Sequence, residues 1–561
     1  MEKRVFIAIL LSFVVLAVYQ AVFPPPPVAP AAAVQPAAAG TADSAAAPAA
    51  AAPGSSATTP APAPLVADAA KRDIVVETDA VRAVFSTAGA VLTSWRLKAY
   101  LDNGQPLELL PADLPARVRR SFDITTDNEA QSTTLANALF KPSADVLTLG
   151  SQPGQLTFEF TDASGLHARK TFYFQSEGKP YVLRVDVAVD QNGTTKPVTL
   201  HSGALLGPGY SADGSQFHPV RGVQHLAGEV EYLTASAVTE TPQYEGQFLF
   251  AGVEDQYFLH AALPGTDRMK VEYQADTFPV PGTTRDETRA FVSYRIVSPG
   301  SLTLPFFIGP KDFDKLSEVR RELVLAIDFG MFRVIVVPLL LSLKWVNSFV
   351  GNYGWSIVVL TIIINVLIFP LRHRSMVSMR RMQAVQPEVK AIQDRYAKYK
   401  LTDPERQKMN QEMMALYKQR GVNPASGCVP MLLTLPVLFA FYAMLSVAIE
   451  LRGAPFFGWI TDLSRRDPLF ITPILMGLSM LWQQRMMPTT ADPIQQRIFL
   501  LMPVIFTVSF LWAPSGLVVY WLMSNLLAIG QQYVTNRMIG APTARVVPAR
   551  IKAGTSGRPK N

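Results

Sequence analysis

Inside the apolar run Trp355 to Leu371 a single carboxamide, Asn365, stands among Ile362, Ile363, Ile364 and Val366, with Thr361 four residues before it. That spacing puts both side chains on one helix face, and polar groups in such surroundings must meet something polar. Thr434, Ser479, Gln483, Thr507, Ser524 and Asn525 carry comparable groups into other apolar runs. Taken singly, each is an interhelical hydrogen bond worth about 0.6 kcal/mol. Taken as a set they are able to line a wet cavity, which thins a barrier where burying one charge costs about 2.5–3.5 kcal/mol. Lowering that barrier is work done without a covalent step. The residues that covalent chemistry would need are not arranged for it: His167, His201, His218, His225 and His260 show no HExxH spacing, and there is neither a GxSxG elbow nor a GxxxxGK[ST] phosphate loop. Cys428, the one cysteine, excludes an internal disulfide, a CxxC pair and a Cys-rich zinc site, and reads as a small apolar residue at the start of a run. No metal and no cofactor are expected.

The elements that carry these side chains are membrane segments. Of 561 residues, 49% are hydrophobic and 17% charged, against a usual charged share of about 25%. The apolar residues come in blocks, which excludes a disordered chain, a collagen-like fibre and a purely water-soluble enzyme. Lys3 and Arg4 precede the run Val5 to Phe23, which is too long for a signal-peptide core and lacks a small-x-small cleavage site. Residues 1–23 therefore read as an uncleaved transmembrane anchor starting in the cytoplasm. Five further spans cover residues 355–371, 428–449, 469–487, 498–513 and 515–533. Another apolar run, Met331 to Phe349, is interrupted by Arg333, Pro338 and Lys344. If it crossed, the segment 372–427, with 12 Lys/Arg against 5 Asp/Glu, would lie outside, so the positive-inside rule lays it in the interface. Residues 311–354 are then amphipathic or interfacial helices. The tail 537–561 also falls inside, with Arg537, Arg545, Arg550, Lys552, Arg558 and Lys560 and no acidic residue. The fold class is a polytopic α-helical membrane protein with six transmembrane helices.

The remaining segments differ in texture. Residues 24–70 hold 21 Ala and 11 Pro with no Lys or Arg, the composition of a disordered tether. Residues 71–310 alternate apolar and polar positions in short runs such as Leu156 to Phe160, Lys170 to Phe174 and Val182 to Val187, which read as strands of a large antiparallel β-sandwich. Asn192-Gly193 marks a hairpin turn. Lys311 to Asp328 reads as one amphipathic helix, with Phe313, Leu316, Val319, Leu323 and Ile327 on one face. Residues 376–420 read as a cytoplasmic helical hairpin, whose second helix opens at Asp403-Pro404.

Gly351-Asn-Tyr-Gly-Trp-Ser356, Phe369-Pro-Leu371, Met382-Gln-Ala-Val-Gln-Pro387, Gln411-Glu-Met-Met-Ala-Leu-Tyr-Lys418, Gly427-Cys-Val-Pro430, Pro473-Ile-Leu-Met-Gly477, Met502-Pro-Val-Ile-Phe506 and Pro514-Ser-Gly-Leu-Val518 follow one another in this order. From Gly351 to Met538 the chain thereby resembles the YidC/Oxa1/Alb3 family of membrane protein insertases. The anchor and large domain before it are similar in architecture to the family's Gram-negative form, in which that domain is periplasmic. The resemblance implies an inner-membrane insertase and chaperone whose five-helix core, residues 355–536, encloses a hydrophilic groove open to cytoplasm and lipid. It also implies an arginine in the groove floor that attracts acidic parts of the substrate. Aligning Thr361 through Phe369-Pro-Leu371 places Asn365 at that position, an amide without charge, while Arg372 and Arg374 stand about one to two turns nearer the cytoplasm as basic residues of the groove mouth. Thr361 matches a groove position. Leu435, Leu438, Met476, Tyr520 and Trp521 match positions of the groove or of the greasy slide on which a nascent helix rests.

The partners implied are nascent inner-membrane proteins, the Sec translocon (SecYEG and its accessory subunits), the ribosome and its RNA, the signal recognition particle receptor and anionic lipids. The basic tail suits a phosphate backbone, with binding that weakens as salt rises. Two rival readings are a transporter or channel, disfavoured by the scarcity of intramembrane charge and the lack of inverted halves, and a membrane-anchored carbohydrate-active sandwich.

Overall fold

A computed structural model describes residues 63–102, 104–110, 118–174, 179–202, 219–265, 268–279, 288–399, 403–422, 429–486 and 493–539. The expected anchor, most of the tether, Cys428 and the tail beyond residue 539 lie outside the described residues. The chain divides into two compact units, one of residues 1–255 with 259–308 and one of 256–258 with 309–561.

The first unit is built of sheets. Leu156, Phe158 and Phe160 are buried while their neighbours face outward, so the strand Gly154–Asp162 shows the period-two pattern of a half-buried sheet. It belongs to an eleven-stranded sheet that also holds Leu166–Phe174, Val182–Gln191 and Leu302–Pro310. Two five-stranded sheets accompany it. Among the described residues most pairs are antiparallel, but Asp73–Thr78 and Val146–Gly150 run parallel, so an all-antiparallel sandwich needs this correction. Strand pairing also starts earlier than composition suggests: Pro64–Val66, inside the segment expected to be tether, pairs with Gly154–Asp162. Asn192 and Gly193 take φ of 51° and 77° in the turn that returns Val182–Gln191 onto Thr194–Thr195.

Packed aromatic rings form the core, with Phe85 and Phe172 centroids 4.5 Å apart and Phe122 and Phe306 5.2 Å apart. Lys170 is fully buried beside them, and its ammonium donates to Gly89 O at 2.7 Å, Phe122 O at 2.7 Å and Ala90 O at 3.3 Å. All three acceptors belong to residues with left-handed backbone, φ 73°, 66° and 46°, so one cation gathers carbonyls that no ladder would satisfy. Burial lowers this ammonium to about 8, opposed by the charge of Asp123.

The second unit is helical. Asp312 caps a helix, Phe313–Val319, by accepting from Asp314 N and Lys315 N; extended backbone at Arg320 then separates it from the 3-10 helix Arg321–Ala326. The single amphipathic helix expected over residues 311–328 is thus split, and the break lets Leu316, Leu323 and Ala326 all be buried. Seven longer helices follow among the described residues: α1 Arg333–Val350, α2 Tyr353–Arg395, α3 Pro404–Gln419, α4 Val429–Val447, α5 Ile471–Met486, α6 Pro493–Phe510 and α7 Ser515–Ile539. Among the described residues, Gly330–Val350 and Tyr353–Ser378 are long and apolar enough to cross a membrane; Pro436–Val447 and Leu501–Phe510 are shorter apolar stretches.

α1 ends at Gly351, whose φ of 69° suits a residue without Cβ. α2 does not stop after the apolar run but continues for 43 residues through Pro370 and Pro387. Its distal part packs on α3 along a seam of Val385, Val389 and Val422, flanked by Met382, Met413 and Leu416. Asp403 accepts from Glu405 N at 3.0 Å to open α3, and Arg420 holds Glu388 at 2.6 Å across the pair. α7 lies against α2, α4 and α5, α5 lies against α6, and α1 against α2 and α4.

Candidate functional site

α2 divides into two faces. Ile362, Ile363, Val366, Leu367 and Leu371 are exposed on one side, whereas Ile357, Leu360 and Thr361 are buried on the other. The inner face continues through Ile364, Asn365, Ile368 and Arg372 at helical spacing, and these residues with Thr361 form one wall of a cavity of ≈ 140 Å³. Val437 and Leu438 of α4 form a second wall, and Tyr520, Trp521 and Ser524 of α7 the third. A space of this size holds several waters where polar groups are there to bind them.

A chain of hydrogen bonds runs along the α2 wall. Arg372 Nη1 donates to Asn365 Oδ1 at 2.8 Å, Asn365 Nδ2 donates to Thr361 O at 2.8 Å, and Thr361 Oγ1 donates to Ile357 O at 2.6 Å. The orientation of the Asn365 amide follows from its neighbours, because only this one pairs the oxygen with a guanidinium and the nitrogen with a carbonyl. On the α7 wall Tyr520 stacks on Phe441 of α4, centroids 4.2 Å apart and planes at 11°. Trp521 is held by Phe506 and Phe510 of α6 at 5.4 and 4.9 Å. These stacks fix two flat aromatics at the rim of a polar space.

Of the groove candidates, the cavity brings together Thr361, Asn365 and Ser524, and with them Leu438, Tyr520 and Trp521 from the slide set. It does not include the others. Asn525 donates to Ser479 Oγ at 3.1 Å and Ser479 Oγ to Met476 O at 2.6 Å, a buried clasp between α7 and α5. Thr507 turns its hydroxyl back onto Pro503 O at 2.6 Å and packs against Gly477, while Gln483 sits half-buried on α5 away from the cavity lining. Met476 is fully buried and does not line the cavity. The side chains of Thr434 and Leu435 lie outside the described residues, although α4 carries both. Arg537 is exposed on the last turn of α7; Arg545, Arg550, Lys552, Arg558 and Lys560 lie outside the described residues.

Arg374 is exposed, but Arg372, expected at the groove mouth, lines the cavity itself. Seven residues make nearly two turns, so Arg372 shares the face of Asn365, and its long stem folds back along the helix. That i, i+7 relation was the signal available in the sequence. Ile364, Ile368 and Val437 carry no such mark, since nothing in an apolar run distinguishes a cavity wall from a lipid face.

The family described as 60Kd inner membrane protein matches residues 345–542, and the YidC periplasmic domain matches residues 73–342. The membrane protein insertase YidC of Geobacter metallireducens is 36% identical over 575 residues, covering 97% of this chain and 100% of that protein. Its counterpart in Geobacter sulfurreducens is 37% identical over 571 residues, with 97% and 100% covered. A crystal structure of an active YidC insertase with the first transmembrane domain resolved matches at 17% identity and a TM-score of 0.34, covering 84% of this chain and 95% of that one. With both parts matched, and relatives alike over nearly their whole length, the chain belongs to the YidC family of membrane protein insertases.

Proposed function

We propose that this chain inserts newly made inner-membrane proteins through the hollow between α2, α4 and α7, and that it works without covalent chemistry. The observation that carries the reading is the ≈ 140 Å³ cavity, in which Thr361, Asn365, Arg372 and Ser524 are set among otherwise apolar helices. Polar groups and water at that place shorten the oily path of a hydrophilic segment, at about 2.5–3.5 kcal/mol for each charge spared mid-bilayer burial. Leu438, Tyr520 and Trp521 give an entering helix a surface that accepts many sequences.

Six helices span in this reading: the segment 1–23, α2, α4, α5, α6 and α7. α1 lies in the interface, which leaves the basic segment 372–427 and both termini cytoplasmic and the sandwich periplasmic. The hairpin and the tail then face the ribosome, the signal recognition particle receptor and anionic lipid, and the insertase works alone or beside the Sec translocon.

Reconstitution of the full chain into liposomes with a translated single-span reporter tests the mechanism. Integration is expected without nucleotide, and Thr361→Val combined with Ser524→Leu is expected to slow it on the order of tenfold by drying the hollow. An unchanged rate in that variant would remove the hollow from the mechanism.

A further inference from the structure

α7 is apolar nearly all round. Leu517, Val518, Val519, Leu522, Leu526 and Leu527 leave its axis in every direction, so packing of apolar side chains alone specifies its rotation weakly. Two buried amides break this surface on the side of α5. Asn525 Nδ2 donates to Ser479 Oγ of α5 at 3.1 Å, and about two turns on, Gln532 Nε2 donates to Met486 O of the same helix at 3.5 Å. The same number of residues separates the two contacts on both helices, so α5 and α7 run parallel in one register and a single stripe of α7 faces α5. The pairing at Asn525 has a direction. Ser479 gives its only proton to Met476 O at 2.6 Å, which leaves the hydroxyl an acceptor and calls for the amide nitrogen opposite it.

The residues of α7 that line the hollow sit to one side of that stripe. Successive residues turn by about 100° about a helix axis, which places Trp521, Ser524 and Tyr520 at about 40°, 100° and 140° from Asn525 in the same sense. α5 also fixes the aromatic support of Trp521: a Cβ at Gly477 would run into Thr507, so α6 approaches α5 closely there, and α6 carries Phe506 and Phe510. We propose that the Asn525–Ser479 pair sets the rotation of α7 and so aims Tyr520, Trp521 and Ser524 at the inserting segment; this rests on the insertion route proposed above. Asn525 and Ser479 are positioning residues, and neither lines the cavity. A polar pair suits the task, since a slip in rotation strands two hydrogen-bonding groups in an apolar interface, whereas leucine against leucine tolerates it.

The test uses the full chain in liposomes, in a Cys428→Ser background, with one cysteine at a time on either flank of Asn525: Ser524→Cys on the side of the hollow, or Leu526→Cys on the opposite side, at a position 50% exposed. A single-span reporter with one cysteine is halted midway through insertion, and the readout is the disulfide yield at 524 over that at 526. With the pair intact, 524 should be favoured. Asn525→Leu is expected to lower the ratio about threefold, the equilibrium worth of one interhelical hydrogen bond. Ser479→Ala should do the same, and the two together should go no further, because either change removes the one contact. A water-soluble maleimide reads the same ratio without a reporter and should shift alike. The proposal is overturned if Asn525→Leu leaves the ratio unchanged, if the yields at 524 and 526 fall together as a loss of fold would make them, or if the effects of the two substitutions multiply. A parent chain in which the reporter meets neither cysteine would instead refute the insertion route, and the maleimide ratio would then decide the rotation by itself.

Discussion

At the scale of single residues, two histidines of the sandwich record what burial does to a titratable group. His260 is fully buried between Tyr294 and Phe306, its Nδ1 shares a hydrogen bond with Ser202 Oγ at 2.7 Å, and burial pushes its pKa down to about 3. His201 shares a hydrogen bond with Thr125 Oγ1 at 2.9 Å and is pushed down to about 4, mainly by burial, with the charge of Asp123 opposing. Both values lie below the 6.5 of an unfolded imidazole, so the folded state favours the neutral ring. Their contribution is complete above pH 6.5 and is lost as pH falls toward about 4 for His201 and about 3 for His260. At pH 4.5 each is expected to have cost about 2–3 kcal/mol. Urea midpoints of the full chain between pH 7.5 and 4.5 should fall, and His260→Phe should flatten the fall; an equal slope in that variant would assign the acid sensitivity elsewhere. The spacing of the histidines suits neither a metal nor catalysis, and nothing in it tells which of them the core encloses.

At the scale of elements, the packing of α1 explains residues that looked like defects in an apolar run. Lys344 interrupts that run, yet in the fold it meets Asp314 at 2.5 Å, Glu450 at 3.3 Å and Asp312 at 3.9 Å, tying α1 to the capped helix before it and to the turn after α4. Glu450 is only 8% exposed, so Lys344→Met leaves a buried carboxylate without its cation. Such a loss costs about 3–5 kcal/mol, and the melting temperature of the detergent-solubilised chain should drop accordingly. Lys344→Met with Glu450→Gln should recover most of it, and a single variant that melts like the parent would show that the ion pair carries no stability. α2 gives a second lesson. Composition predicts a span ending at residue 371 and a separate hairpin from 376, whereas one helix runs through Pro370 and Pro387. A proline removes one intrahelical bond locally, but packing on α7 and, farther along, on α3 supports the helix on both sides of the break. The amphipathic periodicity of 311–328 likewise did not reveal the extended residue Arg320 in its middle.

At the scale of the whole molecule, charge asymmetry makes a prediction that one cysteine renders simple to test. In a Cys428→Ser background, Val146→Cys places a thiol on a sandwich strand and Met414→Cys one on the hairpin helix α3, at positions 63% and 61% exposed. A membrane-impermeant maleimide given to cells with a permeabilised outer membrane should label the first and spare the second; labelling of Met414→Cys from outside would reverse the proposed topology. What the sequence determined by itself is what local composition controls. Apolar blocks long enough for a bilayer and period-two alternation in the large domain suffice for membrane protein and sheet, and the basic segments carry the proposed orientation, because transfer free energy and charge bias add up residue by residue along the chain. Which polar side chains meet was decided only by tertiary structure. Thr361, Asn365 and Ser524 converge on one cavity, Ser479 and Asn525 spend themselves on each other, Met476 disappears into the core, and Arg372 turns inward. Convergence depends on how far α2, α4 and α7 are rotated about their axes where they touch, and that rotation is set by packing between residues distant in sequence.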